Sequence, residues 1–209
     1  MCVLKNFVQG KAISGIKEIS KDLNYLYSYC DLTAVDNMLL MQSGSLARRL
    51  EILNTRALIK DCGLKLSIIY KNRKPIVENG FVSISHSDSL VAFVWNPDFE
   101  ISIDIEEIGE RITRIARRAF SEDELKFAND DIVKLNLLWN VKECVYKLAG
   151  IKGLEFKTQI HVFPFENIEN IEAELITSEG KRNFLFHGKI LKEHSLVYGS
   201  EKVKTFNRI

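Results

Sequence analysis

Glu100-Ile101-Ser102-Ile103-Asp104-Ile105-Glu106 alternates without a break between polar and aliphatic residues. A side-chain period of two is that of a β-strand. Here it sends Ile101, Ile103 and Ile105 to one face and Glu100, Ser102, Asp104 and Glu106 to the other. The apolar face anchors the strand. The polar face sets Asp104 and Glu106 two positions apart, roughly 6.5 to 7 Å between Cα atoms, close enough to converge on one hard cation. Magnesium takes such oxygen ligands and fills its other positions with water and phosphate oxygens. A half-exposed strand whose acids face water gives the same alternation, so the strand alone leaves both readings open.

Downstream, Trp139-Asn140-Val141-Lys142-Glu143-Cys144-Val145-Tyr146-Lys147 has helical spacing. At ~100° per residue, Trp139, Glu143, Tyr146, Lys147 and Gly150 share one face, and Leu137, Leu138, Val141, Cys144, Val145 and Leu148 the opposite one. Lys142 lies to the side. An aromatic, an acid, a phenol and a lysine on one face suit a helix that lines a cleft. Glu143 and Lys147 are also an i,i+4 pair, which as a surface ion pair contributes only about 0.2–0.5 kcal/mol. The helix is followed by Gly150-Ile151-Lys152-Gly153-Leu154, where a glycine-bracketed lysine brings backbone and charge close to a phosphate.

Upstream, Val82-Ser83-Ile84-Ser85-His86-Ser87-Asp88 runs from a strand into a turn. His86 is placed at a sheet end between small hydroxyl residues, suited either to donate to a phosphate oxygen or to serve as a structural histidine. Arg73-Lys74-Pro75 precedes it. Residues 45–62 place Leu46, Arg49, Leu50, Leu53, Ala57 and Leu58 at helical spacing, with Gly63 as the C-terminal cap. That helix carries Arg48, Arg49 and Arg56, a candidate fork for a nucleotide phosphate; a solvated helix face accounts for the three equally well.

The remaining elements follow from pattern and turn chemistry. Strands are expected over 66–70, 81–85, 90–95 and 101–105, separated by Lys-Pro, Glu-Asn-Gly, Ser-Asp-Ser and Asn-Pro-Asp turns. A helix over 111–120 leads to Ser121 with Glu124 three residues on, a capping-box signature, and to a helix over 131–149. Strands are expected again over 159–163, 172–177, 183–186, 189–191 and 196–198. This makes an α+β chain of two halves, 1–99 and 100–209, in one compact unit with no linker between them. Residues 1–44 carry the weakest signal.

Twenty-nine basic against twenty-eight acidic residues give a formal charge of +1, so no global field draws the chain to nucleic acid or an anionic membrane. Any phosphate site is therefore local. Cys2, Cys30, Cys62 and Cys144 show neither zinc-ligand spacing nor a disulfide framework, as expected of reduced thiols. Residues 1–15 lack the apolar stretch of a signal peptide, and no segment approaches ~18 uncharged apolar residues. The expectation is a soluble, cytoplasmic protein.

Taken in order, these pieces resemble the Sfp-type 4′-phosphopantetheinyl transferase superfamily, which includes the holo-acyl-carrier-protein synthases. The family pattern has a Gly-Lys-Pro turn, a Ser-His-Ser strand end, a Gly-Ile-Asp-Ile-Glu strand, a Phe-Ser-x-x-Glu helix start, and Trp-x-x-Lys-Glu-x-x-x-Lys followed by a glycine turn. Here they read Arg73-Lys74-Pro75, Ser85-His86-Ser87, Ser102-Ile103-Asp104-Ile105-Glu106, Phe120-Ser121-Glu122-Asp123-Glu124, Trp139 through Lys147, and Lys152-Gly153-Leu154. The resemblance implies two similar halves related by a pseudo-twofold, each a small antiparallel sheet with a long helix. It also implies a monomer with coenzyme A in the cleft between the halves. Asp104, Glu106 and Glu143 would be the ligands of Mg2+. Glu143 and Lys147 would carry the chemistry, Glu143 as base toward the carrier serine and Lys147 against the pyrophosphate. Ser85, His86, Lys74, Lys142, Lys152, Asp104 and one or more of Arg48, Arg49 and Arg56 would contact coenzyme A.

The implied reaction moves 4′-phosphopantetheine from coenzyme A to a serine of an acyl or peptidyl carrier protein, with 3′,5′-ADP leaving. Three departures stand out: Ser102 and Arg73 replace family glycines, and Asn140 occupies a position where small residues are common. The first two motivate an alternative, a homologue that binds coenzyme A or a carrier protein without transfer. An unrelated magnesium-dependent phosphohydrolase built on Asp-x-Glu is a third reading.

Overall fold

The computed structural model describes residues 2–72 and 74–202. The chain is mixed α+β with antiparallel sheets, and it divides into two compact units, Met1–Glu107 and Ile108–Ile209. The strand bearing Asp104 and Glu106 falls within the first unit.

The first unit runs β1 (Cys2–Lys5), β2 (Ile13–Glu18), α1 (Leu23–Tyr29), α2 (Ala34–Gln42), α3 (Leu46–Asp61), β3 (Ile69–Lys71), β4 (Lys74–Ile76), β5 (Phe81–His86), β6 (Leu90–Asn96) and β7 (Ser102–Glu107). Four strands form an antiparallel sheet in the order β1-β2-β6-β5, which leaves β5 at an edge. Helix α3 forms as its sequence predicts. Ser45 caps its start by accepting from the Arg48 amide at 3.2 Å. At its end Gly63, at φ 75°, donates to the Lys60 carbonyl while Leu64 donates to that of Ile59. This is the paired closure that a left-handed glycine permits.

Leu58 and Ile59 of α3 pack on Val82, Val91 and Phe93 of the sheet. The other side of the helix, Ile52, Leu53 and Ala57, is covered by Leu26 of α1 and Leu40 of α2. Residues 1–44, weakest in sequence signal, thus supply two strands and the helices that bury this second side, at about 1.5–3 kcal/mol for each fully buried Leu or Ile.

Two local expectations change. A strand was expected over 66–70, but regular pairing begins only at Ile69. The Lys74-Pro75 segment, expected as a turn, is itself a strand, pairing Ile69 with Ile76 and Tyr70 with Pro75. A two-stranded ribbon is all edge, so a proline without an amide hydrogen is tolerated there. Arg73 lies outside the described residues.

The second unit runs α4 (Arg111–Ala119), α5 (Glu122–Ala128), α6 (Ile132–Ala149), α7 (Phe156–Gln159), β8 (Ile160–Val162), β9 (Ile171–Thr177), β10 (Gly180–Leu191) and β11 (His194–Glu201). Its strands line up antiparallel in the order β11-β10-β9-β8. The apolar face of α6 packs on them, with Leu138, Val141 and Val145 in one core with Ile171, Phe184 and Val197. The strands expected over 183–186 and 189–191 are one, β10. Gly188 does not break it: the glycine is a point of close approach, donating to the Ile168 carbonyl at 2.6 Å, where a Cβ would lie 2.9 Å from that oxygen. At the start of the expected strand over 159–163, Gln159 instead ends the short helix α7. Among the described residues, no helix is long and apolar enough to cross a membrane.

Candidate functional site

In the first unit, Val82 and Ile84 of β5 point into the α3 core, so Ser83 and Ser85 project from the opposite face. Strand β7 contacts β5. The Ser83 hydroxyl accepts from the Ile103 amide at 3.1 Å, and the Ser85 hydroxyl donates to Asp104 Oδ1 at 2.7 Å. At Ser102 and Asp104 the polar face of β7 is therefore not a solvated one. Asp104 is 3% exposed and Ser102 1%, while Glu106 is partly open and Glu107 exposed. The Ser102 hydroxyl, standing where the family pattern has no side chain, has no hydrogen-bond partner among the described residues.

His86 is the last residue of β5, as its sequence context suggests, with Nε2 2.9 Å from the Thr55 hydroxyl of α3. Beside it opens a cleft of about 620 Å3 whose walls include Arg48, His86, Tyr70, Pro75, Ser43 and Ile84. The structure separates the three arginines that sequence left together. Arg48 reaches the cleft, its guanidinium 5.1 Å from the Tyr70 ring centre and 2.8 Å from Glu51. Arg49 is exposed and does not line the cleft. Arg56 is a correction: it is interior, with Nε on Asp36 Oδ1 at 2.6 Å and Nη2 on the Ile68 carbonyl at 3.4 Å. Asp36 also closes the capping box of α2 with Thr33, so this buried guanidinium ties α2 to α3 through Nε, while its Nη1 has no hydrogen-bond partner among the described residues. Lys74 is half exposed and paired with Glu100 at 2.8 Å.

In the second unit, Glu143 and Lys147 are partly exposed on α6, on the face they share with Trp139 and Tyr146. Sequence did not reveal what sits over that face. The Phe156 ring lies between the two aromatics, 5.4 Å from Trp139 and 5.5 Å from Tyr146 between ring centres. Gly150 ends the helix in the left-handed region, at φ 66°, and Lys152 stands exposed in the turn that follows. Asn140 is fully buried and accepts from the Ser195 hydroxyl at 2.6 Å, which explains a polar residue at this position of the helix.

Lys142 is the second correction. Expected to reach coenzyme A, it is 0% exposed, and its ammonium meets Glu124 Oε2 at 2.9 Å, the Phe156 carbonyl at 2.8 Å and the Ile160 carbonyl. Three acceptors match the three protons of an ammonium, so none is left for a ligand. Burial pushes the Lys142 pKa down, and the Glu124 carboxylate opposes that push. Glu124 also accepts from the amides of Ser121 and Val162, at 2.8 and 2.9 Å. The capping-box signature announced only the first of these bonds.

Within either unit, among the described residues, no three His, Cys, Asp or Glu side chains cluster as a metal centre. The donor chemistry still suits a hard divalent cation. Asp104 and Glu106 offer carboxylate oxygens from alternate positions of one strand, and Asp104 is already held by a hydroxyl, as metal-binding carboxylates commonly are.

Residues 100–199 match the family model of the 4′-phosphopantetheinyl transferase superfamily. The match spans both the Asp-x-Glu strand and the helix of Glu143 and Lys147, and it supports the resemblance drawn from the motifs. No curated protein matches the chain.

Proposed function

We propose that this chain, which carries a 4′-phosphopantetheinyl transferase superfamily domain over residues 100–199, transfers 4′-phosphopantetheine from coenzyme A to a carrier-protein serine. The family match across both acid-bearing motifs carries the reading. Asp104, Glu106 and Glu143 supply the magnesium ligands, and the ion, when bound, neutralises charge that builds on the pyrophosphate.

The chain's own residues do the rest. In the first unit, Arg48 and His86 hold phosphates of the nucleotide end in the cleft they line, with Lys74 nearby in sequence to Pro75 and the Tyr70 ring as an aromatic wall. Lys147 stands against the pyrophosphate, and Lys152 adds charge at the phosphate end. Glu143 accepts the proton of the carrier serine as its Oγ attacks the β-phosphate; the bond from that phosphorus to the bridging oxygen breaks, and 3′,5′-ADP leaves. Alignment of the two substrates supplies the entropic share of the acceleration.

The carrier is acidic in this proposal. Helix α4 buries Ile112, Ala116 and Ala119 and exposes Arg111, Arg114, Arg117 and Arg118, a basic face on a chain of almost zero net charge. Such a face recruits a negatively charged partner and orients it.

Mass spectrometry of a carrier protein incubated with the chain, coenzyme A and Mg2+ tests the reading. The carrier gains the phosphopantetheine mass, and Asp104→Ala or Glu143→Ala abolishes the gain while circular dichroism stays unchanged. Full activity in either variant refutes the assignment. Coenzyme A binding with no mass gain on any carrier supports the non-transferring homologue instead, a reading that the unpartnered Ser102 hydroxyl keeps in view.

A further inference from the structure

We infer that Ser85 is a positioning residue for Asp104, a hydroxyl that fixes the carboxylate before a divalent cation arrives, and not a contact to coenzyme A. The inference rests on the reading of Asp104 as a metal ligand. A serine hydroxyl owns one proton, and an ionised carboxylate can only accept. At 2.7 Å from Oδ1, the proton of Ser85 is therefore committed to Asp104, and a phosphate, also an acceptor, has nothing to take from it.

The location makes this an orienting device. Strand β5 is the edge of its sheet, and the described hydrogen bonds between it and β7 come from side chains: Ser83 takes the Ile103 amide, and Ser85, two positions on, takes the next residue's carboxylate. One serine sets the height of β7, and the other sets the rotation of the Asp104 carboxyl group. Both ends of the second bond are buried, Ser85 at 8% exposure and Asp104 at 3%, so water competes poorly for it. Ser87, the third serine around His86, bonds instead within its own turn, through the Leu90 amide. Holding a ligand carboxylate in one orientation is the outer-shell role whose loss typically costs 10–100-fold in metal affinity.

The experiment uses the full chain and Mn2+ alone, with free Mn2+ followed by electron paramagnetic resonance. Coenzyme A binding is measured separately in EDTA by calorimetry. All measurements are made well below the unfolding transition of each variant. Ser85→Ala is expected to weaken Mn2+ binding about tenfold or more and to leave coenzyme A binding in EDTA unchanged. Ser85→Thr, which keeps a hydroxyl, restores most of the Mn2+ affinity.

A purely structural serine would lower the melting temperature without moving the Mn2+ affinity of the folded protein, and that result overturns the inference. So does lost coenzyme A affinity in EDTA with Mn2+ binding intact. Asp104→Ala, run in parallel, separates the two levels. If it loses Mn2+ binding while Ser85→Ala does not, only the role of Ser85 falls. If Asp104→Ala or the unaltered chain shows that Asp104 binds no Mn2+, the metal reading falls and this inference with it.

Discussion

Lys142 and Glu124 form an ion pair, Nζ to Oε2 at 2.9 Å, from which solvent is shut out on both sides. Removing one member strands a buried charge. Lys142→Met should therefore destabilise the chain by about 3–5 kcal/mol, whereas Lys142→Met combined with Glu124→Gln strands none and should lose less. Urea unfolding of the three proteins checks the order; a double variant no more stable than the single one would mean that the charge of Glu124 is not what the lysine neutralises.

The Ser102 hydroxyl is buried without a partner among the described residues. An unsatisfied buried polar group costs about 1–3 kcal/mol. Ser102→Ala should therefore raise stability by about 1 kcal/mol or more. Ser102→Gly, which restores the family residue, should gain less, because glycine in a strand gives up about 0.5–1 kcal/mol relative to alanine. Chemical denaturation with both variants reads the difference directly.

Alkali should loosen the first unit. The Tyr29 hydroxyl donates to Asp61, and that hydrogen bond, followed by burial, pushes its pKa from 10.0 up to about 12. Burial pushes the Cys30 thiol from 9.0 up to about 11. Both groups hold their proton longer folded than unfolded. The stability they contribute is thus whole below pH 9 and is lost as pH rises through about 11 for Cys30 and 12 for Tyr29. Urea midpoints between pH 8 and 12 should fall along this window, and Tyr29→Phe should flatten the upper part of the fall.

Charge reversal on α4, Arg114→Glu with Arg118→Glu, should raise KM for an acidic carrier protein and leave the KM for coenzyme A unchanged. It should also flatten the dependence of kcat/KM on salt, because exposed charges act through a field that salt screens over about 8 Å at physiological ionic strength. Steady-state kinetics at two salt concentrations measures both effects.

Long, strongly periodic elements were legible. Helices α3 and α6, the capping box at Ser121 and strands β5, β6 and β7 lie within a residue or two of where spacing and turn chemistry put them, because each carries its own local signal. What stayed hidden depends on distant partners. Lys142 and Arg56 are cations on helices and look like solvent-facing residues until Glu124 and Asp36 arrive from other elements. Phe156 opens the four-residue helix α7, and nothing local tells that it will lie between Trp139 and Tyr146. The bond from the Ser85 hydroxyl to Asp104 was hidden as well, since it spans nineteen positions that no periodicity connects.

Helix α5 is seven residues long, too short to persist by itself in water. Its N-terminal carboxylate is anchored by the Val162 amide, thirty-eight positions later. A nascent chain cannot lock this helix until the polypeptide has been synthesised past β8, and deuterium uptake should show α5 and β8 opening as one event rather than two.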